Sequence, residues 1–246
     1  MLFRSLTAFS VTIWLLFEAL NLYLLNWRYV GLEPRLWLRW PGYVLAFATV
    51  LPGIFLTAEL LAALGVGQRL KAKARPLGLP AWQPLWLLLG AACLALPFAA
   101  PTWAFPLIWL AFFFLGDACL DLLSGDSLTR QFLAGERQRP LCLMLAGLLC
   151  GLWWELWNYP SPARWIYTLP LLNFGKIFEM PVLGYLGFMP FALEAAVLYR
   201  LMVWLDDRLA ASPRRPWFYL AQGGFWLVLF WALDVRTVLT FRIPGP

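Results

Sequence analysis

Apolar residues in this chain come in long unbroken runs rather than in alternating pairs or narrow helical stripes. Seven runs stand out, near 6–26, 42–66, 82–100, 103–123, 140–158, 184–204 and 217–236. Each is close to or above the roughly 20 residues that a helix needs to cross a hydrocarbon core. The pattern predicts an all-α integral membrane protein of seven transmembrane helices. Internal prolines (Pro52, Pro97, Pro106, Pro190) do not argue against this, because membrane helices tolerate them. A tight Pro101-Thr102 turn joins the third and fourth runs. Ten-residue alternating segments are absent, so a β-barrel is not supported. The first run follows a single early base, Arg4, exceeds a signal-peptide core and lacks a cleavage pattern, so it reads as an uncleaved span.

Composition agrees with the pattern. Of 246 residues, 62% are hydrophobic and 13% charged, about half the charged share of a soluble domain. The formal charge of +6 is therefore not a nucleic-acid footprint, since no soluble face carries it. Its 19 basic residues fall mainly in connectors, where they anchor helix ends and set orientation. Twelve lie on the side of the N-terminus and seven on the other. That bias predicts a cytoplasmic N-terminus in a membrane of the bacterial inner-membrane type. The run Arg69-Leu70-Lys71-Ala72-Lys73-Ala74-Arg75 is the clearest anchor, with anionic-lipid binding as an alternative.

Histidine is absent. This excludes His-rich di-iron membrane oxygenases, His-ligated haem, HExxH zinc sites and Ser-His-Asp triads. Cys93, Cys119, Cys142 and Cys150 all lie in apolar runs without a CxxC pair, so they read as buried small hydrophobes. No cofactor and no metal are expected.

Two stretches about 137 residues apart share an order of residues. The first has Glu18, Asn21, Trp27-Arg28-Tyr29, Pro41, Gly42-Tyr43, Pro52 and Glu59. The second has Glu155, Asn158, Trp165-Ile166-Tyr167, Pro181, Gly184-Tyr185, Pro190 and Glu194. Four spans separate the copies, so both run the same way through the membrane, as parallel repeats do about an axis along the membrane normal. The expected organisation is one transmembrane domain, 1–246. Repeat 1 covers about 1–100, a linking span about 101–123, and repeat 2 about 140–240.

Six acids lie within apolar runs: Glu18, Glu59, Asp117, Asp121, Glu155 and Glu194. No lysine or arginine is expected deep in a span to neutralise them, and a charge in hydrocarbon costs about 2.5–3.5 kcal/mol even on the lenient scale. Some should be protonated, share a proton or face a polar cavity. Glu18 with Asn21 and Glu155 with Asn158 stand three apart and share a helix face. Asp117 and Asp121 stand four apart and form a candidate proton relay. A neutral acid in a dry aromatic pocket can donate a proton to an alkene or epoxide. Trp154, Trp157, Trp165, Tyr167 and Phe188 crowd the second set, and aromatic faces can stabilise a developing cation. Trp37, Trp40, Trp82, Trp103 and Trp217 read instead as interface anchors. The alternative for each acid is helix-to-helix hydrogen bonding in its neutral form.

Trp154-Glu155, the Trp165-x-Tyr167 motif about ten residues on, and Pro181 resemble the lycopene cyclase domain. The related carotenoid hydratases and small membrane meroterpenoid cyclases are similar in size. The resemblance implies two tandem three-span units, an apolar isoprenoid or carotenoid-type substrate and acid chemistry by buried glutamates. The sequence departs from that pattern after Pro181, where Val182, Leu183 and Gly184 replace the paired glutamates, and Gly42, Tyr43 and Val44 follow Pro41. The expected activity is protonation of a double bond, then cyclisation or hydration. Glu155 and Glu194 are the expected acidic pair, Asn158 the orienter, and Glu18, Asn21 and Glu59 the pseudo-symmetric partners. Two alternatives stay open: a non-catalytic membrane subunit that binds lipid, pigment or other membrane proteins, and a small proton-coupled transporter.

Overall fold

The computed structural model describes residues 2–70 and 82–242. The basic stretch Lys71–Arg75 lies outside the described residues. The helices are α1 (Leu2–Leu24), α2 (Leu36–Ala48), α3 (Val50–Ala63), α4 (Trp82–Ala99), α5 (Pro101–Ala104), α6 (Ile108–Ser124), α7 (Leu128–Leu133), α8 (Gln138–Asn158), α9 (Phe188–Leu209) and α10 (Arg215–Arg236). Four short strands interrupt them: β1 (Trp27–Val30), β2 (Arg164–Tyr167), β3 (Lys176–Ile177) and β4 (Met180–Pro181). Among the described residues, seven stretches are long and apolar enough to cross a membrane: Ser5–Leu24, Leu36–Ala63, Trp82–Ala99, Pro101–Ser124, Gln138–Asn158, Val182–Leu209 and Arg215–Arg236. The chain is a helical membrane protein, as the apolar runs predict.

The second span departs most from expectation. It begins at Leu36, six residues before the predicted run, because α2 absorbs Pro41 in its interior. Proline removes one backbone donor, and the helix restarts as α3 after Thr49. The earlier start carries Arg39 into the span. Arg200 likewise lies within α9. Arg39 pairs with Asp234 and Arg200 with Asp126, neither of them among the six acids singled out in the sequence.

Contacts divide the chain into two compact units, each assembled from separated segments. One comprises Met1–Pro52, Leu152–Leu183 and Trp204–Pro246, the other Gly53–Gly151 and Gly184–Val203. Neither coincides with a sequence repeat.

In the first unit, α1 packs against α2 and α10 through Phe9, Leu15, Phe17 and Leu233, all fully buried. Beyond the helix ends lies a small sheet. Trp27-Arg28-Tyr29-Val30 and Arg164-Trp165-Ile166-Tyr167 are rich in aromatic and β-branched residues, which suit a half-buried pleat. They pair antiparallel, with Trp27 opposite Tyr167 and Tyr29 opposite Trp165. Side chains directly opposite project from one face, so both Trp-x-Tyr motifs present their rings together. Residues 237–242 run parallel along the other edge of β1, where Tyr29 N–H donates to the Thr237 carbonyl at 2.9 Å. Gly31 ends β1 with φ +65°, and a side chain there would meet the Pro162 carbonyl oxygen at 2.1 Å.

In the second unit, small residues let helices approach closely, as membrane packing favours. Gly90 of α4 lies against Leu115 and the Ala111 carbonyl of α6. Gly147 and Gly151 of α8 receive Phe188, whose ring and backbone would be struck by any added side chain.

Candidate functional site

Glu18 sits near the end of α1 with no exposed surface. Its Oε1 accepts three hydrogen bonds: from Trp14 Nε1 at 2.9 Å, Trp27 Nε1 at 3.1 Å and Tyr29 Oη at 2.5 Å. Asn21, one turn on, brackets Trp27 by donating from Nδ2 to its carbonyl at 2.9 Å and accepting from its N–H at 3.2 Å. The second copy repeats this arrangement without a counterpart to the Trp14 bond. Glu155 Oε1 accepts from Trp165 Nε1 at 3.1 Å and Tyr167 Oη at 2.7 Å. Asn158 donates to the Trp165 carbonyl and accepts from its N–H, both at 2.9 Å. The repeat in the sequence is thus a repeated device. A helix end carries Glu-x-x-Asn, the Asn pins the incoming strand, and the strand aims Trp and Tyr back at the Glu. The two devices are joined by β1–β2, whose register centres on Arg28 opposite Ile166.

In each copy Oε2 of the glutamate is buried with no hydrogen bond to another side chain or a solvent-facing group. Indole and phenol donors are neutral, so neither carboxyl is paired with a cation through them. Burial, with Glu18 beside it, pushes the Tyr29 phenol well above its ordinary range, which keeps it a donor. Phe17, Trp27 and Phe47 lie around the Trp14 ring at 6.1–6.3 Å, so the surroundings of Glu18 are aromatic and apolar.

The other predicted residues have different settings. Glu194 is fully buried in the second unit, where its Oε1 accepts from the backbone N–H groups of Phe112 at 2.8 Å and Phe113 at 3.3 Å, and its Oε2 has no partner. Among the described residues it shares no hydrogen-bond partner with Glu155. Glu59, matched to it in the repeat, is exposed on α3, so the pseudo-symmetry ends before this position. Asp117 accepts from Leu128 and Thr129 N–H at 2.6 and 2.9 Å and so caps α7. Asp121 is bound by Arg130 at 2.6 and 2.8 Å, Gln83 at 2.6 Å and Ser127 at 3.0 Å. One holds the first turn of α7, the other an ion pair. Trp165 and Tyr167 bind Glu155 directly. Trp157 is 64% exposed and turns away from it, Trp154 is half-buried, and Phe188 packs on Gly151.

Three further residues take part. Trp14, an aromatic neighbour of Glu18 in the sequence, is its third donor. Asp234 is gripped by Arg39 through Nε and Nη2 at 2.8 Å each, with Trp40 at 2.9 Å and Tyr43 at 2.8 Å; Trp40 is thus a donor in the fold rather than a simple interface anchor. Glu179 stands within electrostatic reach of Glu155. Among the described residues no group of three or more histidine, cysteine or acidic side chains is arranged to hold a metal. Comparisons of the chain with protein-family models, with curated proteins and with solved structures find no match.

Proposed function

We propose that the protein is a membrane-embedded acid catalyst acting on a long apolar isoprenoid or carotenoid-type lipid, with Glu155 as the proton donor and Glu18 as its pseudo-symmetric counterpart. The observation that carries this reading is the bare, buried Oε2 of each glutamate, opposite an Oε1 that accepts only neutral donors. An ionised carboxyl without a cation in apolar surroundings is costly. A neutral one takes hydrogen bonds on its carbonyl oxygen and carries its proton on the other, which is the arrangement a proton donor needs. The proton passes from Oε2 to one alkene carbon, and the π electrons form the new C–H bond. The resulting cation, stabilised by aromatic faces, closes on a second double bond and loses a proton, or adds water and loses a proton. Either outcome returns the acid without net proton consumption. The resemblance of Trp154-Glu155 and Trp165-x-Tyr167 to the lycopene cyclase domain supports the same substrate class.

The test is expression in a carotenoid-producing host, with mass spectrometry of extracted and co-purified lipids. Cyclised or hydrated isoprenoids made by the native chain and lost in Glu155→Gln, with folding retained, are the expected result. Unchanged lipids overturn the reading. A second reading, a lipid- or protein-binding subunit, is favoured by one observation: Trp153 and Trp157 form a ring pair 6.0 Å apart on α8, 54% and 64% exposed. Co-purification of an unmodified lipid or a membrane protein, lost in Trp153→Ala/Trp157→Ala, would support that alternative.

A further inference from the structure

Between β2 and the sixth span, which begins at Val182, the chain is unusually apolar for a connector, with Leu169, Leu171, Leu172, Phe174, Ile177 and Phe178. A connector that only joined two spans through water would be polar and short. This one has a fixed shape. Its root is tied to the sheet, where Thr168 N–H donates to the Asn26 carbonyl at 2.9 Å. Leu172, Gly175 and Phe178 then adopt φ +60°, +60° and +58°, so the chain curls back at every third residue. Such values normally fall to glycine, and two of the three residues here are bulky. The curl closes where β3 pairs with β4, Lys176 opposite Pro181 and Ile177 opposite Met180, and Val182 N–H donates to the Gly175 carbonyl at 3.1 Å. The Phe178 ring lies 5.8 Å from that of Tyr159, which directly follows the end of α8 at Asn158.

The two sides of the curl differ. On the inner strand, Met180 and Pro181 are buried. On the outer side, Leu172, Phe174 and Ile177 are 48%, 68% and 47% exposed. Bulky apolar groups gathered on one exposed side mark an interaction surface. This surface continues the exposed ends of two spans. Trp153 and Trp157 stand exposed on the final turns of the fifth span, and Val182 and Leu183 are exposed where the sixth begins. Exposed tryptophan near a span end sits at headgroup level, and the curl is tied to α8 beside Trp157 through Tyr159. Lys176 is exposed on the outer strand and, among the described residues, enters no ion pair.

We infer that residues 169–178 form an interfacial hairpin that inserts Leu172, Phe174 and Ile177 into the boundary between lipid headgroups and acyl chains, with Lys176 at the lipid phosphates. The partner is the leaflet at which the fifth span ends and the sixth begins. A second protein chain fits less well, because the exposed side chains prolong a lipid-facing surface and carry a cation suited to anionic headgroups. A lysine placed there keeps its ammonium among phosphates while its stem lies in the apolar layer. Sheet β1–β2, from which the hairpin emerges at Tyr167, is thereby held at the lipid surface. This inference goes beyond the acid chemistry of Glu155 and stands without it.

The experiment places the full chain in nanodiscs of phosphatidylethanolamine and phosphatidylglycerol. With Cys93, Cys119, Cys142 and Cys150 replaced by alanine, a spin label is attached in turn at Leu172→Cys, Phe174→Cys, Ile177→Cys and Trp157→Cys. Collisions with oxygen, which dissolves in lipid, are compared with collisions with a water-soluble nickel chelate. The three hairpin positions are expected to favour oxygen as Trp157→Cys does. Lys176→Glu should shift the Phe174→Cys label toward the nickel chelate; an unchanged value overturns the placing of Lys176 at the phosphates. Hairpin labels that favour nickel stand in water, and labels reached by neither reagent are covered by protein. Either result overturns the inference. The native chain gives a second reading that needs no substitution. Hydroxyl radicals generated in the water should oxidise Phe174 as little as the fully buried Phe17, and strong oxidation of Phe174 overturns the inference as well.

Discussion

Asp234 and Glu18 lie in the same unit, in nests of similar make-up, and end in different states. Asp234 receives an indole N–H from Trp40 and a phenol O–H from Tyr43, as Glu18 receives Trp27 and Tyr29. It also receives both arms of Arg39, so each of its oxygens is occupied. Glu18 has three donors on one oxygen and none on the other. Asp206 repeats the first arrangement, with Arg215 at 2.9 and 2.8 Å and Tyr219 at 2.9 Å. The lesson is that an arginine converts a buried acid into a brace, with charge and lone pairs both satisfied. Neutral donors alone leave an oxygen free for chemistry.

The largest effect should come from breaking the brace. Arg39→Met or Asp234→Leu alone leaves an unpaired charge among apolar groups and should cost about 3–5 kcal/mol. The double substitution should recover most of that loss, read as thermal unfolding in nanodiscs. Single variants as stable as the native chain would erase the distinction between the two nests.

Next in size is the aromatic nest. Glu18→Leu strands the donors of Trp14, Trp27 and Tyr29 and should cost about 2–3 kcal/mol. Glu18→Gln keeps a carbonyl in place of Oε1 and should cost less than about 1 kcal/mol. Glu155→Leu strands two donors and should cost about 1 kcal/mol less than Glu18→Leu. Equal losses at the two positions would argue that the third donor contributes nothing.

The smallest effect belongs to an ion pair at the surface. Arg200, hydrogen-bonded to Asp126, holds that carboxyl below its ordinary value of 3.8. A depressed folded-state value means that the contribution is complete above 3.8 and is lost as pH falls through the lower folded value. Asp126→Asn should flatten only this acid end of the stability–pH profile. The side chain is 61% exposed, so the change should be slight. A large loss at neutral pH would mean that exposed pairs also act as braces.

Much of this was legible in the chain. Seven apolar runs sufficed for the spans because hydrocarbon crossing sets a length and tolerates few charges. The Glu-x-x-Asn and Trp-x-Tyr repeat marked both devices because the same local bonds were required twice. The Glu59–Glu194 match was less informative: residues between the anchoring prolines and the acids differ in number, and helical facing changes with each residue. An apolar run counted from 42 leaves Arg39 in a connector, yet α2 begins at Leu36 and accommodates Pro41 in its interior.

By itself, then, the sequence determined the solvent of this protein, the number of its spans and the equivalence of Glu18 with Glu155, since these follow from runs and spacings along one chain. Only the tertiary structure decided which acids are finished and which are left open. That depends on partners far away in sequence, such as Arg39 on Asp234, 195 positions apart. It also depends on a strand pairing that brings Trp27 opposite Tyr167. Hydrogen bonds to carboxyl oxygens are set by distances of tenths of an ångström, and no pattern of residue types carries that information.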